Sequence, residues 1–304
     1  MKTRIVLAVL FIGVAINAQN VTYRVLSNEP PQTPRLSIST DLIQLDLMQH
    51  TLDGMSFNAS VWGHYEVLPE RVGIQFLGRH SWFALGRLGE AKMPPNAELE
   101  LGGYFVLRNK IRNKNTKVTL KKEYSGTTYS TNLHGESTYS YTETETFLII
   151  PSDKTKLTMV RGGFYRKSNG NSTDYLESDV LPDYFKFTSA GLYAGFNFRT
   201  LTSVFIDTDK YGVQYNSIGR DVYVDLLFLP VNSFHDLDGN KITETVKQYA
   251  NSGPLGFRLG YRLFQIDKRA KTGKMFGLCG TFEAGVKPYL GYFISSGIGI
   301  TFVK

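Results

Sequence analysis

The stretch HDLDGNKITETV carries the most ligand-like spacing of oxygen-bearing side chains in the sequence. Asp236, Asp238 and Asn240 alternate around Gly239 and precede Glu244. Calcium loops use alternating carboxylate and amide oxygens, a glycine turn and a later carboxylate. The spacing here is about one residue short of the twelve-residue loop. The alternative is a polar surface loop in which TETVKQY forms a short helix.

Catalytic groups are the second kind of chemistry to consider. Trp62, His64 and Glu66 share one face of a predicted strand, and barrel enzymes place histidines and carboxylates on such faces. No serine stands in a GxSxG context, and the sequence contains no CxxC, HExxH or phosphate-binding glycine loop. We therefore expect a protein that is not an enzyme and that uses no cofactor.

Four strand-length segments set apolar side chains against charged ones in strict alternation. Successive side chains of a strand point to opposite faces, so each segment has one apolar and one charged face. The charged face requires water or counter-ions, which predicts that it lines a lumen. The predicted lumen-facing residues are Glu98, Glu100, Asp221, Asp225, Arg258, Arg262 and Glu283. A turn centred between Ala270 and Lys271 would place Arg258 opposite Glu283 as an ion pair, within a register error of two residues.

The last residues, YLGYFISSGIGITFVK, alternate most strictly of all. Large side chains such as Tyr292, Ile294 and Ile300 share one face, while the other holds Ser, Gly and Thr and no charge. A soluble sheet would present charge to water, whereas this pattern fits a wall with lipid on one side and a lumen on the other. Phe302 is the expected recognition residue for the barrel-insertion machinery.

The N-terminus predicts export. Residues 1–18 contain Lys2 and Arg4, an apolar run and then Asn-Ala, which is the order of a cleaved signal peptide. Residues 19–35 contain Pro30, Pro31 and Pro34, and because proline lacks a sheet donor we expect an extended periplasmic arm. That arm is either a disordered tail or a peptide that docks on a periplasmic partner.

Composition excludes several classes of protein. Mean hydropathy is −0.19 and no second long apolar run follows the signal, which excludes a helical membrane protein. Cys279 is the sole cysteine, so no intramolecular disulfide can form. Removal of Lys2 and Arg4 with the signal lowers the formal net charge from +7 to +5, which suits anionic head groups or polysaccharide. An exported chain is not expected to bind nucleic acid.

The segments predict an all-β fold, a closed antiparallel transmembrane β-barrel formed by residues 36–304. Counting them with PSDK at residues 151–154 as a turn gives about 13, and bacterial barrels generally have an even number. We therefore predict 14 strands, with 12 as the next choice, by supposing that residues 200–220 hide one strand. Both chain ends are then expected in the periplasm. A soluble exported β-sandwich is the rival architecture.

The signal ending in NAQN, the strands GLYAGFNF and GFRLGYR, and the terminal GIGITFVK together resemble the outer-membrane β-barrel, or porin-like, proteins of Bacteroidota. The final Lys304 departs from the usual terminal aromatic residue. The resemblance implies an outer-membrane protein with lipid and the insertion machinery as partners. It leaves two functions open: a small or plugged pore or scaffold, or a structural subunit of a larger export, uptake or assembly complex with other envelope proteins.

Overall fold

The computed structural model describes residues 21–48, 56–84, 96–131, 137–172, 184–249, 253–265 and 276–303. The Thr- and Tyr-rich residues 117–149 predict a hairpin with a polar tip at 132–135, and this tip lies outside these ranges, as does the predicted signal peptide at 1–18. The described strands and helix are β1 (Tyr23–Ser27), β2 (Leu36–Met48), β3 (Ser56–Leu68), β4 (Val72–Ala84), β5 (Ala97–Thr131), β6 (Ser137–Ser172), β7 (Tyr184–Thr208), β8 (Gly212–His235), α1 (Thr243–Tyr249), β9 (Leu255–Gln265), β10 (Phe276–Lys287) and β11 (Gly291–Val303).

Strands β2 to β11 form a closed antiparallel ring. Each pairs with its neighbour in sequence, and β11 closes the ring by pairing with β2 along its whole length, from Phe293 opposite Met48 to Val303 opposite Ser37. Strand β1 lies outside the ring order and pairs with residues 205–208 of β7. The predicted all-β antiparallel architecture is confirmed, and a closed ring differs from the two separate sheets of a β-sandwich.

The predicted strand number differs from the structure. The described residues form eleven strands, ten of which make the ring, in place of the predicted 14 or 12. The PSDK residues 151–154 continue strand β6 and do not form a turn, so two predicted segments are one strand. Residues 200–220 contain the 209–211 turn between β7 and β8, and no additional strand. Polar residues inside a long strand have the composition of a loop, so the sequence pattern divided one strand into two and predicted too many strands.

The two ends of the ring are distinguished by the register. One end carries Leu36, Val303 and the 69–71 turn, and we call it the terminal rim. The other carries the 288–290 turn and α1, and we call it the far rim. The predicted short helix in TETVKQY is confirmed as α1.

Side-chain burial in the ring is inverted relative to a soluble protein. In β8 and β9, the outward Leu226 and Leu259 are 69% and 47% exposed, whereas the inward Asp225 and Arg258 are at most 1% exposed. The same alternation runs through the terminal strand, where Ile298 is exposed and Ser295 is buried. The interior of the ring is therefore polar and the exterior apolar.

The chain forms two compact units. The ring belongs to the larger, made of residues 29–114, 153–203 and 217–304. The smaller is made of the described residues within 1–28, 115–152 and 204–216. Its described core contains the buried side chains of Val118, Ile150 and Val204, and exposed ion pairs such as Lys122 with Glu143 join β5 to β6.

Small residues in the terminal strand are needed for close packing at the ring seam. A Cβ added at Gly299 would overlap the backbone carbonyl of Thr40, next to the register shift between Ile298 and Gly299. A Cβ at Gly78, also within a strand, would meet no atom within 4 Å. Both glycines lie in strands, but only the position of Gly299 lacks room for a side chain.

We expect Gly299→Ala to lower the free energy of unfolding by about 1–3 kcal/mol, because the backbone of β2 must move to accept the methyl group. Gly78→Ala is the matched control and should be neutral or slightly stabilising. Urea unfolding of the folded protein in detergent, followed by heat-modifiable migration in electrophoresis, measures both. Equal stability of the two variants would contradict the tight seam.

Candidate functional site

The seven charged residues predicted to face a lumen all lie in the interior of the ring. Each of these residues is at most 6% exposed. They are Glu98, Glu100, Asp221, Asp225, Arg258, Arg262 and Glu283. Side chains that line a water-filled channel would be accessible along one side. These are packed against other interior side chains instead.

The centre of the interior is organised by Arg258. Its Nη2 donates to Asp225 Oδ2 at 2.7 Å and to Glu100 Oε2 at 3.1 Å. Arg161 reaches the same two carboxylates, with Nη2 3.5 Å from Glu100 Oε2 and Nε 3.3 Å from Asp225 Oδ1. Two buried guanidinium groups and two buried carboxylates therefore lie close enough to compensate one another's charge.

Glu283 is the next centre of charge. It accepts a hydrogen bond from the Tyr223 hydroxyl and one from Arg79 Nη2 at 3.2 Å, and Arg262 Nη2 lies 3.7 Å away. The predicted pair with Arg258 is present but long, at 3.9 Å. The register pairs Glu283 with Gly260 in place of Arg258. The sequence-based register was thus off by two residues.

A further group of charges lies toward the far rim. Arg79 Nη1 donates to Glu98 Oε2 at 3.0 Å, and Lys167 Nζ lies 2.9 Å from Asp46 Oδ2 and 3.4 Å from Glu98 Oε2. The Lys287 Nζ lies 4.0 Å from Asp46 Oδ2 and 3.9 Å from Glu98 Oε2. It also lies 4.0 Å from the centroid of the Phe293 ring. We call this connected set of buried charges the ionic network.

Toward the terminal rim the network ends in an Arg–Asp pair supported by aromatic rings. Arg199 donates to both carboxylate oxygens of Asp221, at 2.7 and 2.9 Å. Its guanidinium lies 5.7 Å from the Tyr104 ring and 5.5 Å from the Phe264 ring, in cation–π geometry. His64 Nε2 is 3.5 Å from Arg199 Nη1, so this histidine is part of the same packed layer.

Many of these ion pairs cross the ring rather than joining neighbours. Glu100 and Arg258 lie on β5 and β9, Arg79 and Glu283 on β4 and β10, and Asp46 and Lys167 on β2 and β6. The strands of each pair are four positions apart in a ring of ten, so the partners are almost opposite. A ring of this size is narrow enough for its side chains to fill.

Sequence reasoning missed half of the ionic network. The buried members that were not predicted are Arg79, Arg161, Lys167, Arg199, Lys287 and Asp46. The signal was available in β6, where Met159, Arg161, Gly163, Tyr165 and Lys167 occupy alternate positions. Following the same alternation through every segment would have identified these residues.

An apolar cap closes the far rim. Phe185, Phe187 and Phe234 pack with Val246 of α1, and the cluster is completed by Leu290 and Phe293. The Phe185 and Phe234 ring centroids are 5.6 Å apart. The interior also contains four buried aromatic side chains, Tyr104, Tyr193, Tyr223 and Phe264. The interior is thus filled by a cap, the ionic network and aromatic rings.

The calcium candidate forms a self-contained turn. Asp236 accepts hydrogen bonds from the backbone amide of Asn240 at 2.7 Å and from its side-chain amide at 2.8 Å. The side-chain bond from Asn240 lowers the pKa of Asp236 below its ordinary value. Among the described residues, no group of three or more His, Cys, Asp or Glu side chains has the arrangement of a metal site. The two oxygens that a cation would use are already hydrogen-bonded within the loop.

Phe302 lies in β11, paired with Phe276 and Ile38, and is partly exposed. Its role as a recognition residue stays a prediction. No helix in the described part of the chain is long and apolar enough to cross a membrane.

Comparison with known proteins adds little. No protein-family model and no curated protein matches the sequence. One similar solved structure is in-vitro folded OmpT, an outer membrane protein of Vibrio cholerae, at 9% identity and a TM-score of 0.20, covering 88% of this chain and 97% of that one. Its loop L8 deletion mutant gives 8% identity and a TM-score of 0.19, with 88% and 98% covered. Likeness at this level carries no argument about function.

We expect Arg258→Met to lower the free energy of unfolding by about 3–5 kcal/mol, since it leaves Glu100 and Asp225 as poorly compensated buried charges. Lys122→Met likewise removes one positive charge, here from an exposed pair with Glu143, and should change stability little. Urea unfolding of both variants in the same detergent tests this. A similar small effect in both would mean that the interior is hydrated.

Proposed function

We propose that this protein is an integral outer-membrane β-barrel whose interior is plugged, and that it acts as a non-catalytic scaffold in the membrane. The observation that carries the proposal is the inverted burial of the ring. Side chains such as Leu278 and Ile298 point outward at 76% and 69% exposure, while arginines and carboxylates are enclosed. Soluble monomers rarely expose contiguous apolar patches larger than a few hundred Å².

A lipid environment explains why the apolar side chains of the ring are outside and the charged ones inside. Hydrocarbon surrounds the apolar exterior, and the closed ring leaves no unpaired strand edge along the wall, which a bilayer requires. The predicted signal peptide supports export, and exported closed barrels are typical of outer membranes. The partners proposed on this basis are outer-membrane lipid and, through Phe302, the barrel-insertion machinery.

We expect Leu259→Arg to destabilise the membrane-inserted barrel by about 2–4 kcal/mol, because Leu259 lies at the middle of β9 on the outward face. Thr202→Arg, at the last described β6–β7 pair toward the terminal rim, is the control and should cost about 0–1 kcal/mol. Urea unfolding from phospholipid vesicles measures both variants. Equal costs at the two positions, or release of the protein from membranes by high salt, would contradict membrane insertion.

The filled interior supports a scaffold rather than an open pore. The buried Arg258, Arg161 and Tyr223 occupy the axis where ions would pass, and the apolar cap closes the far rim. Permeation would require breaking several ion pairs at once in a region of low dielectric constant. In this proposal the interior side chains pack against one another and do not form a passage for ions.

We expect the purified protein to give no single-channel current in planar bilayers, although it migrates as a heat-modifiable band. The double variant Phe185→Ser and Phe234→Ser, which weakens the cap, should also remain silent because the ionic network still blocks the axis. A stable channel in the wild type would rule out the plug. A channel only in the cap variant would assign the block to the cap alone.

A second candidate is a structural subunit of a larger envelope complex. The filled interior favours this candidate, since a barrel without a transport route can still anchor other envelope proteins in the membrane. Gentle extraction followed by affinity purification distinguishes the two, because recovery of the protein alone counts against the complex.

A further inference from the structure

Strand β5 continues past the turn at which its neighbour β4 begins. Its pairing with β4 ends at Phe105, which lies opposite Val72. One residue further, the amide of Val106 donates to the carbonyl of Arg71 at 2.8 Å. Among the described strands, none pairs with residues 107–113 on this side, because the sheet neighbours of β5 are β4 and β6. We call this side of residues 107–113 the open edge.

The open edge presents backbone hydrogen-bonding groups. In an antiparallel strand, the amide and the carbonyl of every second residue point to the same side. Val106 directs its amide toward β4. Arg108, Lys110 and Arg112 therefore direct theirs toward the open edge. An unpaired edge of this kind can accept a further strand from another chain.

Both faces of this part of β5 are uncovered. Every residue from Leu107 to Asn113 is exposed, whereas Tyr104, earlier on the same strand, is buried. Described residues thus cover this segment mainly from the side of β6.

The open edge is also strongly basic. It contains Arg108, Lys110 and Arg112, and residues 101–114 include no acidic residue. The three cations lie on the face of β5 that Glu100 occupies inside the ring, because all four residues have even numbers in one continuous strand. Their charge is therefore directed away from the apolar exterior.

Carboxylates in the described part of the chain leave this charge uncompensated. Arg108, Lys110 and Arg112 form no ion pair with any described acid. Glu70, in the turn before β4, accepts a hydrogen bond from the Asn109 side chain at 2.8 Å instead. The open edge therefore combines unpaired backbone groups with unpaired positive charge.

These two properties select the kind of partner. Pairing with the same edge of a second copy would set cation against cation, and like charges directly opposite destabilise a strand pair. Anionic lipid would meet the outward face, which carries Leu107 and Ile111, each more than half exposed. An extended acidic segment matches both the backbone groups and the charge.

We propose that the open edge binds an extended acidic segment of a partner protein as an additional antiparallel strand. Backbone hydrogen bonds would hold the segment, and carboxylates at every second position would lie opposite Arg108, Lys110 and Arg112. The inference rests on the proposed scaffold role of the barrel and adds to it a docking site and the chemistry of a partner.

The test uses a fluorescent ten-residue peptide in which glutamate alternates with valine. Glutamates opposite the basic residues would direct their amides toward β5, and the valines would direct theirs away. Methylation of the glutamate amides should therefore weaken binding at least about tenfold, whereas methylation of the valine amides should change it little. Fluorescence anisotropy measures the binding of each peptide to the full mature protein in detergent.

Matched variants separate this edge from net charge. The variant R108Q/K110Q/R112Q should bind the unmethylated peptide about tenfold more weakly, because three cross-strand ion pairs are lost. The control R166Q/K241Q/K247Q also removes three positive charges, all toward the far rim, and should bind as the wild type does.

A pair of substitutions at Lys110 isolates the backbone contribution. K110Q and K110P both remove the ammonium group, but only proline also removes an amide that faces the open edge. We expect K110P to bind about threefold more weakly than K110Q. Heat-modifiable migration verifies that every variant folds.

Several results would overturn the docking strand. Undetectable binding by the folded wild type, or equal binding by R108Q/K110Q/R112Q, would do so, and equal binding of the glutamate-methylated peptide would reduce the surface to general attraction of anions. A wild-type dimer that K110P abolishes would assign the edge to a second copy. Flotation with phospholipid vesicles tests membrane insertion separately, so failure of the barrel proposal is distinguishable from failure of the docking site.

Discussion

The ion pairs that cross the ring are the interaction on which the rest of the structure depends. Arg258 and Glu100 lie on strands four positions apart in a ring of ten, and so do Arg79 and Glu283. An arginine side chain reaches across only a narrow ring, so the length of these side chains and the number of strands must match. Ring size, interior composition and the close packing of the described interior side chains are therefore linked.

Burying so much charge is tolerable because each buried cation has a nearby carboxylate. Every buried arginine and lysine among the described residues lies within 4.0 Å of a carboxylate oxygen. The interior consequently behaves as one coupled network, in which Glu100 serves both Arg258 and Arg161. Such a network gives little net stabilisation over an apolar core, but loss of a single member leaves a partner uncompensated. It specifies one arrangement of the strands more than it strengthens them.

Alternation in the sequence predicted the faces of the strands well and their number poorly. In β8 and β9 large apolar residues alternate with Asp225 and Arg258, and the structure buries those two side chains. Periodicity failed across residues 151–154, because a polar stretch inside a long strand has the same composition as a turn. Pairing across the ring could not be predicted, since it depends on the number of strands. A ring of 14 would have separated Arg258 from Glu100, so the error in strand number also hid these pairs across the ring.

Charge compensation in the interior also restricts where the net positive charge of the protein lies. The formal charge of +7 says little about partners by itself. Inside the ring, cations and carboxylates neutralise one another, so the surplus must lie on surfaces that the network does not reach. Arg108, Lys110 and Arg112 are exposed, beyond the part of β5 where Glu98 and Glu100 are buried. Compensation inside the ring thus leaves uncompensated positive charge on exposed strand segments such as this one.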